Sequence, residues 1–162
     1  MVPFAEPAVR RAVVPVLLGL VTIGLVITSV VVLAGRGPRI EQGMVVVARQ
    51  EALNFFTLDP DHADKQAAAV LALATGTFKD EYAKHTQELV SQIRSKKVRS
   101  TAAIPEDGVA VEFAGPGRGQ VLVTVDMTRT RGASTEDVRN RARIVLREVQ
   151  GRWLVSDVNQ VG

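Results

Sequence analysis

Hydrophobic and polar positions fall into three regimes along this 162-residue chain. Between Ala12 and Ala34 no charge occurs, and the run reads AVVPVLLGLVTIGLVITSVVVLA between Arg10-Arg11 on one side and Arg36 and Arg39 on the other. From Val45 to Ile93 apolar residues recur at helical spacing. From Ser100 onward the period drops to two. As a helix the first run spans roughly 34 Å, enough for the ~30 Å hydrocarbon core of a bilayer. It predicts a membrane span over 12–34, preceded by a short tail (1–11) and followed by a linker (35–44) and one domain (45–162). A secretory leader cleaved near Val32-Leu33-Ala34 is the competing reading, but leader apolar cores run to only about 7–15 residues. Pro15 sits in the first turn, where a missing N–H costs little. Gly19, Gly24 and Thr28 form a strip of small residues against which another membrane helix can pack. Flanking charge is nearly balanced, so the positive-inside rule does not decide the orientation.

In the helical regime Val45, Ala48, Ala52, Leu53, Phe55 and Phe56 give a first helix one heavy apolar face. Asp59-Pro60-Asp61 stops it and opens an alanine-rich second helix, with Asp as the cap and Pro60 in the first turn. Gly76 is read as that helix's end, and Thr77 with Asp80 as a capping pair for a third. Phe78, Tyr82, His85, Leu89 and Ile93 form a stripe on the third helix, which runs out in the basic cluster Arg94, Lys96, Lys97, Arg99. In the second half, Asp107-Gly108 reads as a hairpin turn after Ala102 and Ile104. Val109, Val111 and Phe113 alternate on the next strand. Val121, Val123, Val125 and Met127 share one face of a strand over 120–129. Residues 132–137 are read as an exposed loop. Ala142, Ile144 and Leu146 oppose Arg141, Arg143 and Arg147 on the following strand. Gln150-Gly151 turns the chain into a closing strand with Trp153 and Val155. Helices first and strands afterwards make an α+β domain in which an antiparallel sheet, paired in sequence order with its outward arginines solvated, folds over three helices.

Charge narrows the function classes. The formal net charge is +3, and leaving out Glu6, Arg10 and Arg11 gives 18 basic against 16 acidic residues. That balance is too near neutral for a nucleic-acid partner. With no cysteine in the chain, disulfides, thiolate zinc sites and thiol catalysis are excluded. About 127 residues follow the apolar run, enough for one ordinary core.

The stretch VVARQEALNFFTLDPDHADKQAAAVLALATGTFKDEYAKH resembles the start of the extracytoplasmic domain of Mce-associated membrane proteins of actinobacteria. The strings that carry the resemblance are Ala48-Arg49-Gln50, Leu58-Asp59 and Ala74-Thr75-Gly76-Thr77-Phe78-Lys79-Asp80-Glu81-Tyr82, followed by Gly151-Arg152-Trp153 and the strand to Val158. This resemblance implies a cone-shaped NTF2-like domain of the VirB8 type, held outside the cytoplasmic membrane by one N-terminal span, with the short tail (1–11) on the cytoplasmic side. It also implies a non-enzymatic accessory subunit of a Mce-type lipid importer of fatty acids or sterols, whose partners are permease and Mce-domain subunits. The eleven-residue tail is shorter than in many relatives, which weakens the expectation of a cytoplasmic partner bound through it.

Candidate chemistry is sparse. Asp59, Asp61, His62 and Asp64 have a metal-ligand flavour, but the helix junction explains the acids as caps. His85 beside Tyr82 is the best acid–base pair an NTF2-like cone can offer here, although a histidine there is commonly a hydrogen-bonded core-edge residue. No phosphate loop, nucleophile elbow or two-histidine zinc spacing occurs, so neither catalytic residues nor cofactor or metal ligands are expected. Arg94, Lys96, Lys97 and Arg99 complement a helix C-terminus and are also candidates for contact with anionic lipid headgroups. Trp153 and Phe113 are expected in the sheet core. Two alternatives stay open beside the importer subunit: a VirB8-like assembly factor of another envelope complex, and a ligand-binding or enzymatic NTF2-like domain.

Overall fold

The structure is a computed structural model that describes residues 42–161. The span expected over 12–34, including Gly19, Gly24 and Thr28, lies outside the described residues. Three helices come first: α1 (residues 42–56), α2 (Ala63–Leu73) and α3 (Gly76–Lys96). Five strands follow: β1 (Val98–Ala103), β2 (Val109–Gly115), β3 (Arg118–Arg131), β4 (Ser134–Val149) and β5 (Arg152–Gln160). Among the described residues no helix is long and apolar enough to cross a membrane.

All strand pairs are antiparallel, in the order β1-β3-β4-β5, with β2 also on β3. The sequence-order expectation fails at β1 and β2. Both lie along the same edge of β3, Ala103 opposite Asp126 and Val109 opposite Val123. Asp107-Gly108 is therefore no hairpin but a bulging loop within one continuing edge. Its backbone bonds (Gly108 N–H to Pro105 carbonyl, 2.9 Å; Thr124 N–H to Gly108 carbonyl, 2.7 Å) keep the chain travelling in one direction. The loop read over 132–137 shrinks to residues 132 and 133, because Ser134 to Asp137 already pair with Arg131 to Thr128. At the other end Gln150 and Gly151 both have positive φ (52° and 75°), as a tight two-residue hairpin requires.

Period two on β3 and β4 buries Val121, Val123, Val125 and Met127 together with Ala142, Ile144 and Leu146. Met44, Ala48, Ala52 and Phe56 recur every fourth residue on α1 and complete this core with Val155 of β5. Gly119 allows the approach: a Cβ there would overlap the Met44 sulfur. A smaller cluster (Ala63, Ala67, Val90, Ile93) joins α2 to α3.

The helical layer is fastened to both edges of the sheet. After α1, Leu58 and Ser100 of β1 exchange backbone hydrogen bonds of 2.9 and 2.8 Å. Between α2 and α3, Ala74 bridges Val155 and the Thr75 N–H donates to the Val155 carbonyl at 2.8 Å. These tethers displace the expected helix starts. Asp59 forms a turn, accepting from the Asp61 N–H at 3.0 Å, and α2 begins later, with His62 at the cap position but its side chain not capping the helix. Gly76, read as an end, is the first residue of α3, and its φ of 60° turns the chain off β5. Thr75 rather than Thr77 occupies the cap position.

Candidate functional site

Three places gather chemistry-bearing side chains. The first lies between α1 and α3. Val47, Glu51 and Phe55 follow one another at four-residue spacing on α1, beside the face that meets the sheet. Glu51 has no exposed surface, and neither carboxylate oxygen has a hydrogen-bond partner among the described residues. Desolvation pushes its pKa up from 4.5 to about 8, an effect the nearby Asn54 side chain only partly opposes. At neutral pH the carboxyl is therefore mostly protonated, a neutral acid able to donate one hydrogen bond. Aromatic rings stand around this part of the interface: Phe55 to Tyr82 at 6.4 Å and Phe78 to Tyr82 at 6.0 Å between centroids. The Tyr82 phenol is pushed up to about 12, first by burial and then by Glu51. One turn on from Glu51, the helices leave an apolar cleft of about 270 Å³ lined by Phe55, Leu58, Ala67, Tyr82, Leu89 and Ile93.

Sequence reading passed over Glu51 because a glutamate inside an amphipathic helix is ordinarily a solvated one. Its spacing from Val47 and Phe55 was the available signal. His85, by contrast, does not join Tyr82. The inward stripe of α3 runs Phe78, Tyr82, Thr86, Val90 and Ile93, which leaves His85 on its flank, with 61% of its side chain exposed between Glu81 and Glu88 at 3.8 and 4.0 Å. The expected acid–base pair is thus split between the helix interior and its surface.

The second place is the junction before α2. His62 Nδ1 lies 2.9 Å from Asp59 Oδ2, and Arg99 holds both Asp59 (2.8 Å) and Asp61 (2.9 Å). The His62 bond first, then the Asp61 N–H, hold the Asp59 carboxyl below its ordinary value. Asp64 pairs with Arg94. Among the described residues no group of three or more His, Asp or Glu side chains is arranged to hold a metal ion. The same contacts divide the basic cluster: Arg94 and Arg99 are occupied by acids, Lys96 reaches Gln92 at 3.4 Å, and Lys97 closes α3 in the left-handed conformation.

The third place is the outer face of the sheet. Its arginines are not uniformly solvated as expected. Arg139 grips Asp126 through two bonds (2.6 and 2.9 Å), and Arg143 grips Glu112 likewise (2.6 and 2.9 Å). Phe113, expected in the core, is 44% exposed, because a register shift after Val111 turns it outward. There the Arg118 guanidinium stands 5.6 Å from its ring centroid. Trp153 is half-buried, beside Gly43 of α1.

A family model described as "Uncharacterized protein Rv1363c/MT1408-like" matches residues 8–162. The chain belongs to this family. A Mycobacterium tuberculosis member, Rv1363c, is 27% identical over 116 residues, 70% of this chain. The chain spans less than half (44%) of that relative's length. Among solved structures, the periplasmic domain of DotI superposes with a TM-score of 0.59 at 14% identity, covering 72% of this chain and 91% of that one. CagV from Helicobacter pylori, a VirB8 homologue of type IV secretion, gives 0.56 at 12% (72% and 96% covered). VirB8 from Agrobacterium tumefaciens gives 0.55 at 12% (76% and 92%). The domain of this Rv1363c-like chain thus has the VirB8/NTF2-like α+β fold.

Proposed function

We propose that this Rv1363c-like chain is a non-enzymatic, membrane-anchored subunit that helps assemble an envelope complex, with its VirB8-like domain outside the cytoplasmic membrane. The observation that carries the reading is the fold itself, whose solved likenesses include periplasmic domains and type IV secretion components. The uncharged run over 12–34 supports the anchor, since an extracytoplasmic cone on one apolar segment is a tethered protein. The separation of His85 from Tyr82 supports a binding role over chemistry, as general acid–base work needs both groups within reach of one substrate atom.

Resemblance of residues 45–158 to Mce-associated proteins favours a second assignment of the partner, a Mce-type lipid importer. Affinity purification from detergent-solubilised native membranes, read by mass spectrometry, separates the two. Secretion-channel or other envelope-assembly subunits support the first partner, and permease with Mce-domain subunits the second. Recovery of no other membrane protein contradicts both.

A further inference from the structure

The hairpin ends of β2–β3 and β4–β5 gather a charge pattern that the fold does not need. Arg118 of β3 and Arg147 of β4 stand directly opposite each other on adjacent strands. Like charges so placed repel and weaken a sheet. Arg152 and the exposed Val149 pair with each other across the next hairpin. Glu148 is the only acid in these turns, and none of Arg118, Arg147, Arg152 or Glu148 forms an ion pair among the described residues. Elsewhere on the same face Asp126 and Glu112 neutralise Arg139 and Arg143, and Arg141 and Arg131 stand singly farther along the strands, so three of the unpaired sheet arginines meet at this end.

This is also the end where the chain arrives. Gly43 lies beside Trp153, and Met44 packs onto Gly119, next to Arg118. Only seven residues separate Ala34, the last of the apolar run, from residue 42, and seven residues reach at most roughly 25 Å. The cluster Arg94 to Arg99 lies at the far end: Arg99 pairs with Thr130, twelve positions along β3 from Arg118. At ~3.3 Å per residue that is about 40 Å of strand.

We propose that the turn end of the sheet, with Arg118, Arg147 and Arg152 around the exposed Phe113 and Val149, docks on the anionic headgroups of the bilayer that holds the chain. This rests on the anchored reading above. Phosphate oxygens would relieve the Arg118–Arg147 repulsion, while Phe113 and Val149 enter the interfacial layer, where exposed apolar side chains are favourable.

Trp153 is the sole tryptophan of the chain, and it sits at this end as a built-in reporter. The full chain is reconstituted in vesicles of phosphatidylcholine, with or without phosphatidylglycerol, that contain a nitroxide-headgroup lipid as quencher. Docking predicts stronger Trp153 quenching with phosphatidylglycerol, reversed by salt. Arg118→Gln and Arg147→Gln should each lower the docked-to-undocked ratio about fivefold, and Arg147→Gln should do so without lowering the melting temperature, since it removes a repulsion and no attractive contact. Quenching that is equal in neutral and anionic vesicles, or unchanged in both variants, while the chain stays with the vesicles, overturns docking and leaves the face to an acidic protein. A chain that washes off the vesicles removes the anchored reading, and this inference with it.

Discussion

Glu51 shows how a single side chain can set the pH response of a domain. Its ordinary pKa is 4.5 and burial raises it to about 8. The unfolded chain gives up this proton near pH 4.5, whereas the folded chain holds it until about pH 8. Stability from this group is therefore full below pH 4.5, falls as pH climbs to 8, and is flat beyond, a loss of a few kcal/mol in all. Glu51→Gln should flatten that slope: denaturant midpoints of the two proteins, compared between pH 5 and 8, should diverge in favour of the variant as pH rises. A constant offset would mean that Glu51 ionises normally. Asp59, Glu112 and Asp126 act in the opposite sense, since their partners hold them below ordinary values and their contribution fades as pH falls through the acid range. Gly119 offers a second test. A methyl there meets the Met44 sulfur and comes within 3.3 Å of the Phe113 carbonyl, so Gly119→Ala should cost about 1–3 kcal/mol in chemical denaturation. Adding Met44→Ala should recover part of that cost; an additive loss would place the strain elsewhere.

At the scale of elements, what was legible in the sequence divides by the range of the forces involved. The inward residues of β3 and β4 and the core face of α1 follow from local periodicity, because one-sided burial leaves no other register. Glycine preference at positive φ made the Gln150-Gly151 turn visible. Gln150 carries its φ of 52° without a glycine's freedom, so Gln150→Asn, giving the favoured Asn-Gly pair, should raise the melting temperature by a few degrees at most; a decrease would contradict this turn geometry. What escaped depends on contacts distant in sequence. Leu58 binds Ser100 and Ala74 binds Val155, and these bridges move the starts of α2 and α3 away from the cap residues. Asp107-Gly108 has hairpin chemistry, yet β3 is long enough to accept β1 and β2 in succession on one edge, which no local signal announces. The same limit applies to the candidate sites. His85 and Tyr82 are three residues apart, and the packing of α3 decides which of them turns inward. Asp59 and Asp61 look like caps until Arg99, thirty-eight positions beyond Asp61, closes on them.

For the whole molecule, an α+β domain of the VirB8/NTF2-like fold, assigned to the Rv1363c-like family, follows a long uncharged N-terminal run in the sequence. Its helical layer is sewn to both sheet edges, which suits a rigid body that presents faces to neighbours rather than one that opens around a substrate. The central claim is that the chain works as part of a larger membrane assembly. Native gel electrophoresis of mildly solubilised membranes, followed by immunodetection of the full chain, tests this most directly. The account predicts a discrete band well above the size of the lone chain in its detergent micelle, lost when charged residues interrupt the run at Gly19 and Gly24. Migration as the lone chain under every mild detergent would contradict it.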